Sequence, residues 1–290
     1  MNITKRMGMT IFLGMLPALI VYVGIAMVPV AMSFYYSLYS WDGLSAMSFV
    51  GADNYREVLQ DDIFWKGVKN NLFMMLSGIC GQLPAGLLLA LMLNRSLRGL
   101  KLYRSVLFLP VIISAVIVSL IWNMVYGMES GLINNVFGLA GLDAWKQNWL
   151  GSPNWGMLSV SITYLWQNYG FYMVIFLAGL QNISEEIKEA AIVDGATGWK
   201  RFWRITLPLL KETIWVTLIF SISNSFRVFD LIYVMTAGGP AHNTEVMTIY
   251  MYTNVFQNMR FGLGSAVSML ILIFSLVVIY AAKLITRRAD

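Results

Sequence analysis

The stretch Glu189-Ala-Ala-Ile-Val-Asp-Gly-Ala-Thr-Gly-Trp-Lys-Arg-Phe-Trp-Arg-Ile-Thr-Leu-Pro208 lies between two long apolar blocks, and its reading decides the fold. It belongs to a more polar interval, residues 181–213, that opens Gln181-Asn182-Ile183-Ser184. Serine is a good helix N-cap, because its hydroxyl accepts from a free backbone N–H. Glu185 and Glu186 follow in the first turn, where the helix dipole favours negative charge. Ile183, Ile187, Ala190 and Ala191 fall along one side at helical spacing. The two adjacent alanines let another backbone approach closely. Gly195, after Asp194, supplies a stop or tight turn. A second piece, Trp199 to Arg204, is basic and aromatic, and Leu207-Pro208 breaks it. The pattern predicts a short helical hairpin. It either lies on a membrane surface or inserts as a knob into a groove of a soluble partner, and periodicity does not separate the two.

Outward from this loop the chain is apolar. Of 290 residues, 58% are apolar and 12% charged, against roughly 25% charged in soluble domains. Six segments approach or exceed the roughly 20 apolar residues that cross a bilayer. They are Ile11–Leu38, Leu72–Leu93, Val106–Tyr126, Met157–Leu180, Ile214–Met235 and Ser265–Ile285. Pro17, Pro29, Pro84 and Pro110 lie in or near them, which spans tolerate, often with a kink. The expected fold class is an all-α polytopic membrane protein with six transmembrane helices.

Charge sets the orientation. With both termini in the cytoplasm, the inner segments hold Lys5, Arg6, Arg95, Arg98, Lys101, Arg104, Lys188, Lys200, Arg201, Arg204, Lys211, Lys283, Arg287 and Arg288. The outer loops hold only Arg56, Lys66, Lys69, Lys146 and Arg260, and Arg227 falls within a span. The positive-inside rule then gives N-in, C-in. The net charge of +5 is accounted for in this way, without nucleic acid. Lys5 and Arg6 before a long apolar run read as a retained signal-anchor.

The outer loops carry aromatics: Trp41, Phe49, Tyr55, Phe64 and Trp65 in residues 40–70, and Trp145, Trp149 and Trp155 around a short helix near Gly131. Anchoring at the headgroup level is the plainer reading of these rings, and contact with an external partner the other. A single cysteine, Cys80, excludes an intramolecular disulfide. A single histidine, His242, excludes a multi-histidine metal site and is expected to be solvated.

The run from Glu189 to Pro208 resembles the EAA loop of ABC importer membrane subunits: Glu-Ala-Ala, a glycine shortly after, then Ile-x-Leu-Pro. Lys211 stands where many relatives carry a second proline. Phe49-Val-Gly-Ala-Asp-Asn-Tyr55, Asp62-Ile-Phe-Trp65, Asn70-Asn71, Trp149-Leu-Gly-Ser-Pro153 and the run Phe229 to Pro240 are similar to the loops of carbohydrate-importer permeases. Among these the chain is similar to the larger-type membrane subunit of maltose, oligosaccharide and glycerol-3-phosphate importers.

The resemblance implies a type I ABC importer permease fold in the bacterial inner membrane. An N-terminal helix and first external loop (1–70) precede a five-helix core (71–290) with its coupling loop at 181–213. It also implies a second permease subunit, usually forming a heterodimer, two ATPase subunits that bind ATP and magnesium, and an extracytoplasmic solute-binding protein. No cofactor is expected on this chain. Glu189, Ala190, Ala191, Asp194, Gly195, Leu207 and Pro208 are the expected coupling residues. The chain contains no Walker A pattern, since no lysine follows a glycine, so ATP chemistry is assigned to other chains.

Polar groups within spans mark a pathway or a partner. Ser223, Arg227 and Asp230 at i, i+4, i+7 are expected on one helical face, beside Asn224. Tyr164, Asn168 and Tyr172 at i, i+4, i+8 are expected on another. Hydroxyls, amides and aromatic planes suit a sugar. The structural alternative pairs Arg227 with Asp230 as a neutral couple and uses the amides to join helices. Glycerol phosphate or a polyol is the second substrate reading, though an anion asks for more basic residues than Arg227 alone. An ion-coupled carrier wants intramembrane carboxylates or histidines, for which only Arg227 and Asp230 are candidates. An enzyme wants converging catalytic groups, and no carboxylate lies deep in a span.

Overall fold

The computed structural model describes residues 2–95 and 98–288, with the side chains of these except at 2–10, 188 and 285–288. Lys5, Arg6, Lys188, Arg287 and Arg288, part of the orientation reading, lie outside the described side chains. Among the described residues the regular structure is helical apart from a short antiparallel ribbon that pairs Tyr39 with Phe49 and Ser40 with Ser48.

Ile11–Ser37, Asp62–Leu93 and Phe261–Leu284 are long and apolar enough to cross a membrane. Two bent pairs could each make one more: Leu100–Ile112 with Ala115–Val125 at 93°, and Gly198–Leu209 with Lys211–Arg227 at 68°. A further helix, Gly156–Gln181, has the length to cross, at about 1.5 Å per residue. Tyr164, Gln167, Asn168 and Tyr169 make it more polar than the others. Length and apolarity alone therefore give three to five spans where six were expected.

Two expected spans are broken. In the third, Ile113 and Ser114 are extended, and the helix restarts at Ala115. In the fifth, the helix ends at Arg227, Val228 is extended, and Asp230–Thr236 is a separate helix. The face proposed for Ser223, Arg227 and Asp230 therefore does not exist, because the helical register is lost at Val228 and Phe229.

Of the four prolines expected to kink, Pro17 and Pro110 lie inside α-helices, Pro110 just before the 93° bend, while Pro29 and Pro84 act differently. Pro29, Pro84 and Pro208 each follow a π-helical turn: Val23–Met27, Gly78–Gln82 and Phe202–Thr206. The residue before each proline donates its N–H to the carbonyl five back: Val28 to Val23, Leu83 to Gly78, Leu207 to Phe202. A proline lacks the N–H and its ring crowds the carbonyl four residues earlier. The widened turn absorbs both defects while the helix runs on. Leu207-Pro208 therefore does not break the hairpin, whose bend comes after Leu209.

The chain forms two compact units, residues 1–61 with 250–274, and residues 62–249 with 275–290. The expected division at 70 kept the C-terminal helix with the core, whereas the first unit takes residues 250–274. In that unit Asn54 donates to the Ser37 and Tyr39 carbonyls at 2.8 and 2.9 Å, and Arg260 grips Glu57 through both nitrogens at 2.6 Å. In the second unit, Met74, Val118, Val160, Ile232, Val246 and Ile249 form one buried cluster. Leu83, Ala90, Tyr172, Phe176, Leu180 and Leu210 form another. Gly86 lets its helix lie against Gly156–Gln181, since a Cβ there would be 2.8 Å from Tyr172 Cβ and 2.9 Å from the Met173 nitrogen. Small residues at such crossings are how membrane helices pack.

Phe64 is fully buried, so it is not a headgroup anchor. Trp149 packs near Tyr126, Phe137 and Trp155 and donates to Asn134 Oδ1 at 2.9 Å, while Trp145 stays exposed. His242 is half-exposed, with Nδ1 2.8 Å from the nearly buried Glu245 carboxylate.

Candidate coupling loop and pathway cavity

The hairpin begins with the helix Glu185–Val193. Ser184 occupies the N-cap with extended backbone, but its hydroxyl makes no capping bond. The closing turn is complete. Ala196 N–H donates to the Ala191 carbonyl at 2.8 Å and Gly195 N–H to Ile192 at 3.0 Å, with Gly195 at φ +72°. These are the two bonds of a Schellman motif, and its usual apolar contact is represented by the buried Ala191 and Ala196. Asp194 closes the last turn, its N–H donating to Ala190 at 3.0 Å.

Ala191 is thus turned inward, whereas Glu189, Ala190 and Ile187 are exposed, so the expected apolar side is split. Val193 and Trp199 are 88% and 73% exposed. Trp199 stacks on Phe202 at 5.5 Å between centroids, with Trp203 edge-on. Leu207 and Pro208 lie apart from this tip, along an apolar groove with Ile214 and Leu218. Between the hairpin and the end of Asp62–Leu93 opens a cleft of about 770 Å³, lined by Arg95, Glu185, Glu189, Ile192, Trp199 and Arg201 among others. Exposed aromatics beside both signs of charge make a surface suited to a protein partner.

The second site is a cavity of about 430 Å³ at the two helix breaks. Tyr164, Gln167 and Asn168 line it from Gly156–Gln181, Asn224 and Arg227 from the end of Lys211–Arg227, and Phe229 and Asp230 from beyond the break. Five of the seven expected pathway residues therefore meet here. Ser223 does not line it, and Tyr172 is 1% exposed in the second apolar cluster. Eight residues on an α-helix move a side chain about 12 Å and rotate it about 80°, so Tyr172 does not line the cavity itself, although its hydroxyl lies beside Ser221 and the cavity residue Asn224.

The cavity offers varied donors and acceptors. Asn168 donates to the Tyr164 carbonyl at 2.9 Å, which leaves its own oxygen available. Asn224 Oδ1 accepts from Arg227 Nη2 at 3.0 Å. Phe229 stacks on Tyr233 with planes 18° apart. Hydroxyl, amide, guanidinium, carboxylate and ring face together can bind a polyhydroxylated solute.

Broken helices free backbone carbonyls, which in an apolar medium need donors. Asn71 donates to the Ser225 carbonyl at 2.7 Å while accepting from Met247 N–H at 2.9 Å. Thr248 donates to the Val228 carbonyl at 2.5 Å, and Gln167 to Ile113 at 3.2 Å. Ser119 reaches the Leu231 carbonyl at 3.2 Å, tying the two restarted helices together. Sequence reasoning gave Asn71, Thr248 and Ser119 no such role. Their signal was an amide or hydroxyl in an apolar run, but the partners lie far away in the chain.

The comparisons with known proteins agree. The family described as binding-protein-dependent transport system inner membrane component matches residues 82–290. The chain is 34% identical over 270 residues to a probable ABC transporter permease of Pyrococcus horikoshii, covering 93% of this chain and 92% of that one. It is 34% identical to the sulfoquinovosyl glycerol transport system permease of Agrobacterium fabrum, covering 94% and 89%. It is 33% identical to the trehalose/maltose transport system permease of Thermococcus litoralis, covering 93% and 91%. A chain in the crystal structure of a bacterial ABC transporter importing the acidic polysaccharide alginate superposes with TM-score 0.82 at 26% identity, covering 98% and 96%. With its broken helices, exposed hairpin and matching sequence, the chain belongs to the family of binding-protein-dependent transport system inner membrane components, as an ABC transporter permease.

Proposed function

We propose that this chain forms one half of the membrane pathway of an ATP-driven importer for a sugar or oligosaccharide. Six spans with both termini in the cytoplasm put the hairpin 185–204 on the inner side. There Glu189, Ala190, Ala191, Asp194 and Gly195 form the lever held by an ATPase subunit, and Leu207 and Pro208 join it to the next span. Two such ATPases, a second permease and an extracytoplasmic binding protein complete the machine, with ATP and magnesium on the ATPases. ATP-driven closure of the ATPases biases a two-state arrangement of the spans through this lever.

The observation that carries this reading is the exposed tip that Val193 and Trp199 form on the two sides of a closed turn. The substrate class rests on the cavity chemistry and on relatives named for sulfoquinovosyl glycerol, trehalose/maltose and alginate. A related structure holds the alginate transporter with a periplasmic protein carrying an alginate pentasaccharide. The test is uptake of labelled oligosaccharide into proteoliposomes containing the whole complex. Uptake is expected only with ATP at the ATPases and the binding protein outside. Uptake driven by a proton gradient without ATP would contradict the reading.

A further inference from the structure

We propose that the transported sugar carries an oxyanion, a carboxylate or sulfonate, and that Arg227 is its counter-charge in the pathway. This deepens the sugar-importer reading and rests on it.

Arg227 is the last residue of its helix and opens into the cavity at the break. The sequence suggested that Asp230, three residues on, neutralises it. The extended Val228 removes that geometry. Among the described residues no carboxylate oxygen lies within 4.0 Å of the Arg227 nitrogens, Asp230 included, although both line the same cavity. The one hydrogen bond of the guanidinium among those residues goes to Asn224 Oδ1, a neutral acceptor. A guanidinium has five N–H donors in a planar fork, so most of them remain to be met.

The C-terminal end of a helix favours a cation but does not saturate that fork. Arg227 is exposed in this chain and so within reach of a solute, and Arg is the residue whose geometry fits a planar or tripodal oxyanion through two bonds, so that one unneutralised guanidinium serves a single anionic group where the sequence had asked for several basic residues. Asn224 holds the fork in place. Asp230 and the Asn168 oxygen then accept from sugar hydroxyls, and Phe229 lines the same cavity. The cavity thus separates a site for one anion from a site for hydroxyls.

The whole transporter, in proteoliposomes with ATP and the binding protein, is given labelled trigalacturonate, a sulfonated glycoside and maltotriose. One of the two acidic probes is expected to enter in preference to maltotriose. Arg227→Gln is expected to lower its uptake about tenfold, the size of one charge-assisted pair. Arg227→Lys should retain more, and the ratio of acidic to neutral uptake should fall with the charge. Entry of maltotriose alone would overturn the proposal and leave the sugar reading standing. An equal fall for all probes in Arg227→Gln would also overturn it, assigning Arg227 to pairing within the complex. Entry of none, with ATPase activity intact, would count against both readings.

Discussion

The hairpin and the cavity are neighbours in sequence, yet they are held in opposite ways. The hairpin takes its shape from bonds that span only a few residues, from Ala196 back to Ala191 and from Gly195 back to Ile192. The break beside the cavity is held by donors from elsewhere, with Asn71 reaching Ser225 across 154 positions and Thr248 reaching Val228 across 20. A lever has to keep its shape while it is pushed, and a locally closed helix does so whatever the bundle is doing. A pathway has to open, and a break whose bonds come from other helices changes when those helices shift. The two regions should therefore respond differently to single substitutions.

The largest effect is expected at Asn71. Asn71→Leu strands the Ser225 carbonyl and the Met247 N–H together, at roughly 1–3 kcal/mol for each buried group. A lower unfolding temperature in detergent and loss of uptake are expected, with ATPase binding retained. Asn71→Asp keeps the acceptor but sets a buried carboxylate against the Ser225 carbonyl, so it should be no milder than Asn71→Leu at neutral pH. Unchanged stability in Asn71→Leu would mean that the break is held by something else.

Thr248→Val removes one donor and should cost roughly 1–3 kcal/mol, again seen as a lower unfolding temperature. Gly195→Val acts on the lever. A β-branched residue at φ +72° costs about 1–2 kcal/mol and loosens the closing turn. Its expected signature is a loss of ATPase stimulation by the loaded binding protein, with little change in the melting of the bundle. Gly195→Asn, which tolerates the left-handed region, should do less harm. Equal damage to bundle melting from Gly195→Val and Thr248→Val would erase the contrast between the regions.

The smallest effect is expected at the exposed pair of Arg260 and Glu57. The hydrogen bond from Arg260 holds the Glu57 carboxyl below its ordinary range. The contribution of the pair is therefore complete above the pKa of an unfolded glutamate and is lost as pH falls through the lower, folded value. Solvent screening keeps it below about 1 kcal/mol. Wild type and Glu57→Gln should differ slightly at neutral pH and converge in acid.

The same contrast explains what the sequence disclosed. Glu-Ala-Ala with Asp194-Gly195 is a local pattern, and each of its turns could be read from neighbours in the chain. The apolar blocks were legible too, because a bilayer imposes a length. The break at Val228 was not, since nothing within a few residues forces it, and at Ile113 the nearby Pro110 suggested a kink but not a 93° break. They persist because Gln167, Asn71 and Thr248 arrive from other helices. Tyr172 was misplaced for a related reason. Spacing predicts a stripe, but by the eighth residue the ring is buried in the apolar cluster and meets the cavity only through Asn224. Pro29 and Pro84, read as kinks, and Pro208, read as a break, follow π turns instead, because the missing bond can be absorbed one residue upstream.

The lever itself is tested most directly by cross-linking in the assembled transporter. In a Cys80→Ser background, Val193→Cys gives this chain a single thiol, at the exposed end of the helix Glu185–Val193. A short bifunctional reagent should join it to the ATPase subunit, with a yield that changes when ATP is added. No product with the ATPase, together with labelling of that thiol by a membrane-impermeant maleimide from outside sealed cells, would contradict the account.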